Sequence, residues 1–231
     1  MKNVLEFLKK PEDLPMLKPK RYSGILVLAP HCDDEAIGCG GTILKYLSMG
    51  TSVTIVFLTN QHSPKKEIRE KESQMAWENY PEVKLVYLNF LDTFLYKEER
   101  GASFELRKII EQINPEMILL PWIGDEHPDH NIVLKLLGNS INNTQNIDLY
   151  FYEIFYPLPC NYLINITDYF GEKVRIMNQY GSQKRLNFIE TATYLNGYRA
   201  ACIALSKVKY AEAFFVSKTG CMDSLIEIMN E

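Results

Sequence analysis

The chain has 231 residues, of which 46% are hydrophobic and 23% charged; this is ordinary globular usage and excludes a disordered tract, a collagen-like repeat and a coiled coil. Lys and Arg number 25 against 29 Asp and Glu, a net charge of −4 without a sustained basic block, so nonspecific nucleic-acid binding lacks its electrostatic footprint. The length suits one elaborated domain better than two cores, and no apolar run approaches a membrane span.

Residues 1–22 scatter charges among apolar positions, with neither a secretory apolar core nor a transit-peptide pattern. They are expected to form a peripheral arm ahead of a single domain at 23–231. Residues 24–29 (GILVLA) read as a buried strand, and the Gly-rich stretch beyond them as a turn into a short helix at 42–49, stopped by Gly50. A second strand follows at 52–58, then a charged, Pro-opened helix at 64–79. Strand 84–88, helix 103–113 and strand 117–121 come next, then a helix opened by Pro128 and continued over 131–138, and a fifth strand at 148–155. Beyond Tyr156 the pattern loosens into a loop, a strand at 161–167 and a helical stretch at 173–206 broken around Gly181 and Gly197, which completes the domain or walls a substrate. Alternating strands and helices imply parallel pairing through right-handed crossovers. The expected class is α/β: a Rossmann-like, doubly wound open sheet, mostly parallel, with helices on both faces.

Five cysteines, an odd number without CxxC spacing, argue against a disulfide framework and a four-cysteine zinc site. They fit a reducing compartment, and a cytoplasmic location is expected.

Ligands of open α/β sheets bind beyond the carboxyl ends of the strands. The loop after the first strand reads Pro30-His31-Cys32-Asp33-Asp34-Glu35 and the loop after the fourth reads Gly124-Asp125-Glu126-His127-Pro128-Asp129-His130, so three of the four histidines lie in these two acidic loops. Imidazole plus carboxylate at an open site is what a divalent cation such as zinc requires, with a fourth position for water. Iron, cobalt and nickel accept the same donors. Adjacent aspartates point in different directions, so Asp33 and Asp34 can divide the work of ligand and base. Pro128 suits the first position of a helix, which puts His130 in the first turn, where exposed amides disfavour a charged ring. His127, flanked by Asp125, Glu126 and Asp129, is instead free to hold a proton. The glycines at 38, 40 and 41 miss the GxGxxG spacing and follow an acidic cluster, which excludes a pyrophosphate.

The segment APHCDDEAIGCGGTI (29–43) together with HPDH (127–130) resembles the LmbE-like, or N-acetylglucosaminyl-phosphatidylinositol de-N-acetylase (PIG-L), family of zinc-dependent deacetylases. The segments around Tyr180–Gln183, Gly197–Arg199 and Tyr210–Phe214 are similar to its later parts. The resemblance implies an N-deacetylase acting on an N-acetylated sugar or sugar conjugate. Carried over by position, His31, Asp34 and His130 would bind Zn2+, Asp33 would be the general base, and His127 would stabilise the oxyanion as an imidazolium. Cys32 departs from the family's proline, and a thiol is itself a zinc ligand, so a Cys-containing coordination sphere stays open.

Substrate contacts are expected from Arg69, Asp92 and Arg199, with Glu72, Asn60, Glu212, His62 and the tyrosines Tyr152, Tyr156 and Tyr162 as further candidates. Surface or core roles compete for each of these. Two other functions remain: a same-fold amidase on a non-sugar amide, and a noncatalytic glycan-binding module, which should lack the base. A homo-oligomer is compatible with the sequence.

Overall fold

The computed structural model describes residues 19–61, 65–141, 145–154, 156–183, 187–202 and 207–229. The expected N-terminal arm lies outside them up to residue 18, as does His62.

Strand β1 (Gly24–Ala29) is buried along almost its whole length, as an inner parallel strand covered on both faces must be. Its alternate side chains feed two cores: Ile25 and Val27 pack with Ile43, Tyr46 and Tyr152, while Leu26 and Leu28 pack with Leu106, Ile118 and Leu134 on the other face. Helices therefore cover both sides of one sheet. Strands β2 (Ser52–Gln61), β3 (Val83–Leu91), β4 (Met117–Pro121) and β5 (Asp148–Tyr152) continue the parallel part. With β6 (Tyr162–Asn165) and β7 (Ala211–Lys218) the order is β3-β2-β1-β4-β5-β7-β6. The expected class holds. The chain reverses direction of growth between β1 and β4, and the loops leaving these two strands carry the histidines.

Strand β7 had no counterpart in the sequence reading. It pairs antiparallel with both β5 and β6 and separates two strands that are neighbours in the chain. The strand at 148–155 is shorter than expected, ending at Tyr152.

Helix α1 (Asp34–Leu47) corrects the expected Gly-rich turn: the glycines lie inside a helix that is interrupted at Cys39 (φ −143°, ψ 17°). They serve close packing. A Cβ on Gly38 would collide with the Tyr152 ring and lie 2.9 Å from the Glu153 carbonyl, and one on Gly41 would meet Ile166 at 2.8 Å. Gly50, by contrast, has the expected left-handed conformation after the helix (φ 82°). The remaining helices are α2 (Lys66–Trp77), α3 (Glu99–Ile113), α4 (Pro128–Asn131), α5 (Val133–Ser140), α6 (Phe170–Met177), α7 (Phe188–Ala201) and α8 (Met222–Met229). A break falls near Gly181 as expected, but α7 runs through Gly197, where a Cβ would meet nothing. Among the described residues no helix is long and apolar enough to cross a membrane.

Candidate metal centre

The β1–α1 loop turns sharply. The Asp33 amide donates to the His31 carbonyl at 3.1 Å, and the Asp33 carbonyl accepts from Ala36 and Ile37. Asp33 occupies the N-cap of α1 with φ 152° and ψ −25°, yet its side chain makes no capping hydrogen bond. A non-glycine residue in that region is strained, and an aspartate that does not cap leaves its carboxyl for another use. Asp34 begins the helix and turns its carboxylate back: Oδ2 accepts the His31 amide at 2.8 Å and lies 3.2 Å from His31 Nδ1.

The second loop reaches the same point. Pro128 opens α4, as expected, and His127 is its N-cap, with ring Nδ1 accepting the Asp129 amide at 3.2 Å. His130 Nε2 lies 3.3 Å from Asp34 Oδ2 and 3.4 Å from His31 Nδ1. Three donor atoms, one from each of His31, Asp34 and His130, thus form a near-equilateral triangle with edges of 3.2, 3.3 and 3.4 Å. Arms of 2.0–2.1 Å at the tetrahedral angle give a donor separation of about 3.3 Å, so the triangle matches one face of a zinc coordination tetrahedron. The other ring nitrogens fit the same picture. His31 Nε2 is 3.2 Å from Asp129 Oδ2 and 3.4 Å from Asp92 Oδ1, and His130 Nδ1 is 3.2 Å from Asp125 Oδ2. Carboxylates behind metal-binding imidazoles fix their tautomer and raise their basicity.

The electrostatics are those of a cation site. Burial acts against charge on His130, but Asp34 and the Asp125 contact outweigh it and push its pKa up to about 9. Burial likewise opposes the charged form of His31, whose neighbours Asp34, Asp129 and Asp92 raise its pKa well above the usual imidazole value. Within the adjacent pair of aspartates burial raises both, yet His130 and His31 hold Asp34 well below the carboxylate range, while Asp33, beside the Asp34 charge, is driven well above it. His127 goes the other way: burial and the positive rings of His31 and His130 lower its pKa. Carboxylates at 3.2–3.3 Å from His130 act against the helix terminus, and His127 Nδ1 accepts a backbone amide, which leaves Nε2 to carry the ring N–H.

Of the expected substrate contacts, the structure brings Asp92 and Arg69 to the histidines. Asp92 Oδ2 accepts Arg69 Nη1 at 2.8 Å while its Oδ1 faces His31; His31, ahead of Arg69, holds the Asp92 carboxyl below its usual range. Arg199 is engaged elsewhere: it is paired with Glu153 and donates to the Leu158 carbonyl at 2.8 Å, which ties down the chain after β5. Glu212 is buried and accepts two backbone amides of α1. Glu72 clamps Ser182 through its backbone and hydroxyl. Asn60 and Tyr152 are buried, the latter donating to the Leu28 carbonyl at 2.7 Å, and Tyr162 is a core residue. Tyr156 remains exposed. Cys32 is a buried thiol whose pKa is driven up by burial and by Glu35 and Asp33; the wider sets of side chains around His31 that could share an ion, His31 with His127 and His130 and His31 with Asp92 and Asp129, do not include it.

Sequence reasoning placed Asp125 and Asp129 around His127 and missed their actual duties. Asp129 is fully buried; besides facing His31 it accepts the Thr93 amide at 2.7 Å and the Leu95 amide at 3.0 Å. A four-residue helix opened by proline was a signal for where His130 points, but nothing in the sequence marks the amides of another loop. Glu35 was also missed: it is fully buried and accepts Trp77 Nε1 at 2.9 Å and the Tyr180 hydroxyl.

A doubly wound sheet with a His/Asp donor triangle at its switch point defines a protein of candidate metal-centre type. Residues 26–140 match the model of the GlcNAc-PI de-N-acetylase (PIG-L) family, and the chain belongs to that family. It is 33% identical over 136 residues to a Bacillus cereus protein named probable N-acetyl-alpha-D-glucosaminyl L-malate deacetylase 2, covering 51% of this chain and 60% of that one. It is 27% identical over 191 residues to the diacetylchitobiose deacetylase of Thermococcus kodakarensis, covering 69% of each. The matches thus span three fifths to two thirds of these relatives. Among solved structures, N,N'-diacetylchitobiose deacetylase from Pyrococcus horikoshii shares the fold with a TM-score of 0.73 at 24% identity, covering 94% of this chain and 92% of that chain. A conserved protein from Thermus thermophilus does so with a TM-score of 0.70 at 26% identity, covering 83% and 93%.

Proposed function

We propose that the protein is a zinc-dependent N-deacetylase that hydrolyses the acetamide of an amino sugar or amino-sugar conjugate to acetate and a free amine. The carrying observation is the donor triangle of His31, Asp34 and His130 with its 3.2–3.4 Å edges. The names of the Bacillus and Thermococcus relatives, both deacetylases of N-acetylated sugars, support the substrate class. Five unpaired cysteines support a cytoplasmic setting, and residues 23–231 are read as one domain.

When bound, the cation supplies Lewis acidity and lowers the pKa of a coordinated water. Asp33, strained into place and committed to no cap, takes the proton of the attacking water. His127 offers its Nε2–H to the oxygen on which charge develops, an N–H held in position by the Nδ1 contact to Asp129. Collapse breaks the C–N bond, and the proton held on Asp33 passes to the departing amine. Arg69 and Asp92, joined at 2.8 Å beside His31, are the polar groups we assign to sugar hydroxyls.

Acetate release from a panel of N-acetylglucosamine conjugates, with and without a chelator, tests this reading. Turnover should vanish on chelation and return with zinc; acetate formation that chelation leaves untouched would sink it.

A further inference from the structure

We propose that the buried Lys173–Glu212 ion pair is a positioning element of the metal centre, occupying the break in α1 and setting the direction in which the first turn presents Asp34. The inference rests on the metal-centre reading above and carries it into the C-terminal part of the chain, beyond the family match at residues 26–140.

In an uninterrupted helix the Gly41 amide would bond to the Ile37 carbonyl and the Thr42 amide to that of Gly38. The interruption at Cys39 removes that geometry in a region where water does not reach. Glu212, on β7, accepts Gly41 N through Oε1 at 2.9 Å and Thr42 N through Oε2 at 2.7 Å. Lys173, on α6, donates to the Ile37 carbonyl at 2.7 Å. The two are joined at 2.7 Å, so the ion pair stands in the place of one helical hydrogen bond, the anion on its amide and the cation on its carbonyl. The third ammonium proton goes to Asn196 Oδ1 on α7 at 3.0 Å. All three Lys173 donors are thereby used, and each Glu212 oxygen holds an amide. The carboxylate also sits at the restarted N-terminus of a helix, where negative charge is favoured. A Cβ on Gly40 would lie 3.4 Å from Lys173 Cγ, so the lysine crosses the helix in close contact at this glycine.

The half-helix ahead of the break is one turn long. Its start is fixed by the Asp33 carbonyl, and its end by Lys173; between them lies Asp34, shared by both histidines. A single turn held at both ends cannot rotate, and that rotation would carry Asp34 Oδ2 out of the triangle.

Removing one partner of a buried pair leaves an unpaired charge, whereas removing both can be neutral. The test therefore uses the double variant Lys173→Met/Glu212→Leu, titrated with cobalt(II) alone and followed by its visible spectrum, beside a thermal melt. We expect melting close to the parent, cobalt affinity about tenfold weaker or more, and an altered spectrum as α1 closes its break. Parent-like affinity and spectrum in a folded double variant would overturn the proposal. Should the double variant not fold, Glu212→Gln keeps the side-chain shape but sets an NH2 against one of the two amides. Weakened cobalt binding is expected there too, and unchanged binding would equally overturn it. Failure of the parent to take up cobalt would instead bring down the metal reading and the proposal with it.

Discussion

The Asp129 carboxylate faces His31 Nε2 at 3.2 Å, on the edge of the ring opposite the nitrogen that meets Asp34. Its oxygens also hold the amides of Thr93 and Leu95, so a candidate metal ligand and the loop bearing Asp92 share one anchor. Asp129→Asn must turn an NH2 toward one of these donors. We expect metal affinity to fall about tenfold or more and KM to rise as the 92–95 loop loosens. Zinc titration and steady-state kinetics check both; parent values in each would remove Asp129 from the site.

Protons and metal compete for the same nitrogens. The pKa of His130, raised from an ordinary 6.5 to about 9, gives the metal-free protein stability that is fully present below about pH 6.5 and is lost as pH rises through about 9. Chelated protein should therefore melt at falling temperature across that window, and the slope should flatten in His130→Gln. Metal uptake at neutral pH should expel protons, measurable by calorimetry in buffers of different ionisation enthalpy. Uptake without proton release would contradict the assignment of His130.

Asp33 combines a strained φ of 152° with a buried carboxyl of raised pKa. Asp33→Gly relieves both, and should raise stability by about 1–3 kcal/mol while lowering turnover by about two to four orders of magnitude. Metal content should stay at parent level. Thermal melts, kinetics and elemental analysis read the three parts separately; a destabilised but active variant would assign Asp33 to structure alone.

Two glycines give opposite outcomes. Gly38→Ala puts a methyl into the Tyr152 ring and the Glu153 carbonyl, an overpacking that should cost about 1–3 kcal/mol and reduce zinc content by shifting α1. Gly197→Ala, in open space inside α7, should stabilise by about 0.5–1 kcal/mol without touching the metal. Chemical denaturation of the pair decides whether the glycines after β1 serve packing.

The parallel half of the fold was legible because its strands are short β-branched runs between helical patterns, and its loops concentrate the histidines. Residues 24–29 and 117–121 coincide with β1 and β4. The antiparallel end was not: β7 is AEAFFVSK, a run whose glutamate points into the protein to cap α1, so its polar pattern does not report burial. The glycines of α1 misled for the same kind of reason, since local propensity argues for a turn and only Tyr152 and Ile166, more than a hundred residues on, show why no side chain fits. Arg199 read as a substrate group because its partner, Glu153, lies at an unpatterned strand end.

Strand β7 enters between β5 and β6 and brings the residue that completes α1, which lies near the start of the domain. A ribosome making this protein has released β1, α1 and both histidine loops long before residue 212 emerges. Until then β6 lacks the one strand it pairs with among the described residues and the broken turn of α1 has an open amide pair, so the turn that presents Asp34 waits on a strand some 170 residues downstream of it.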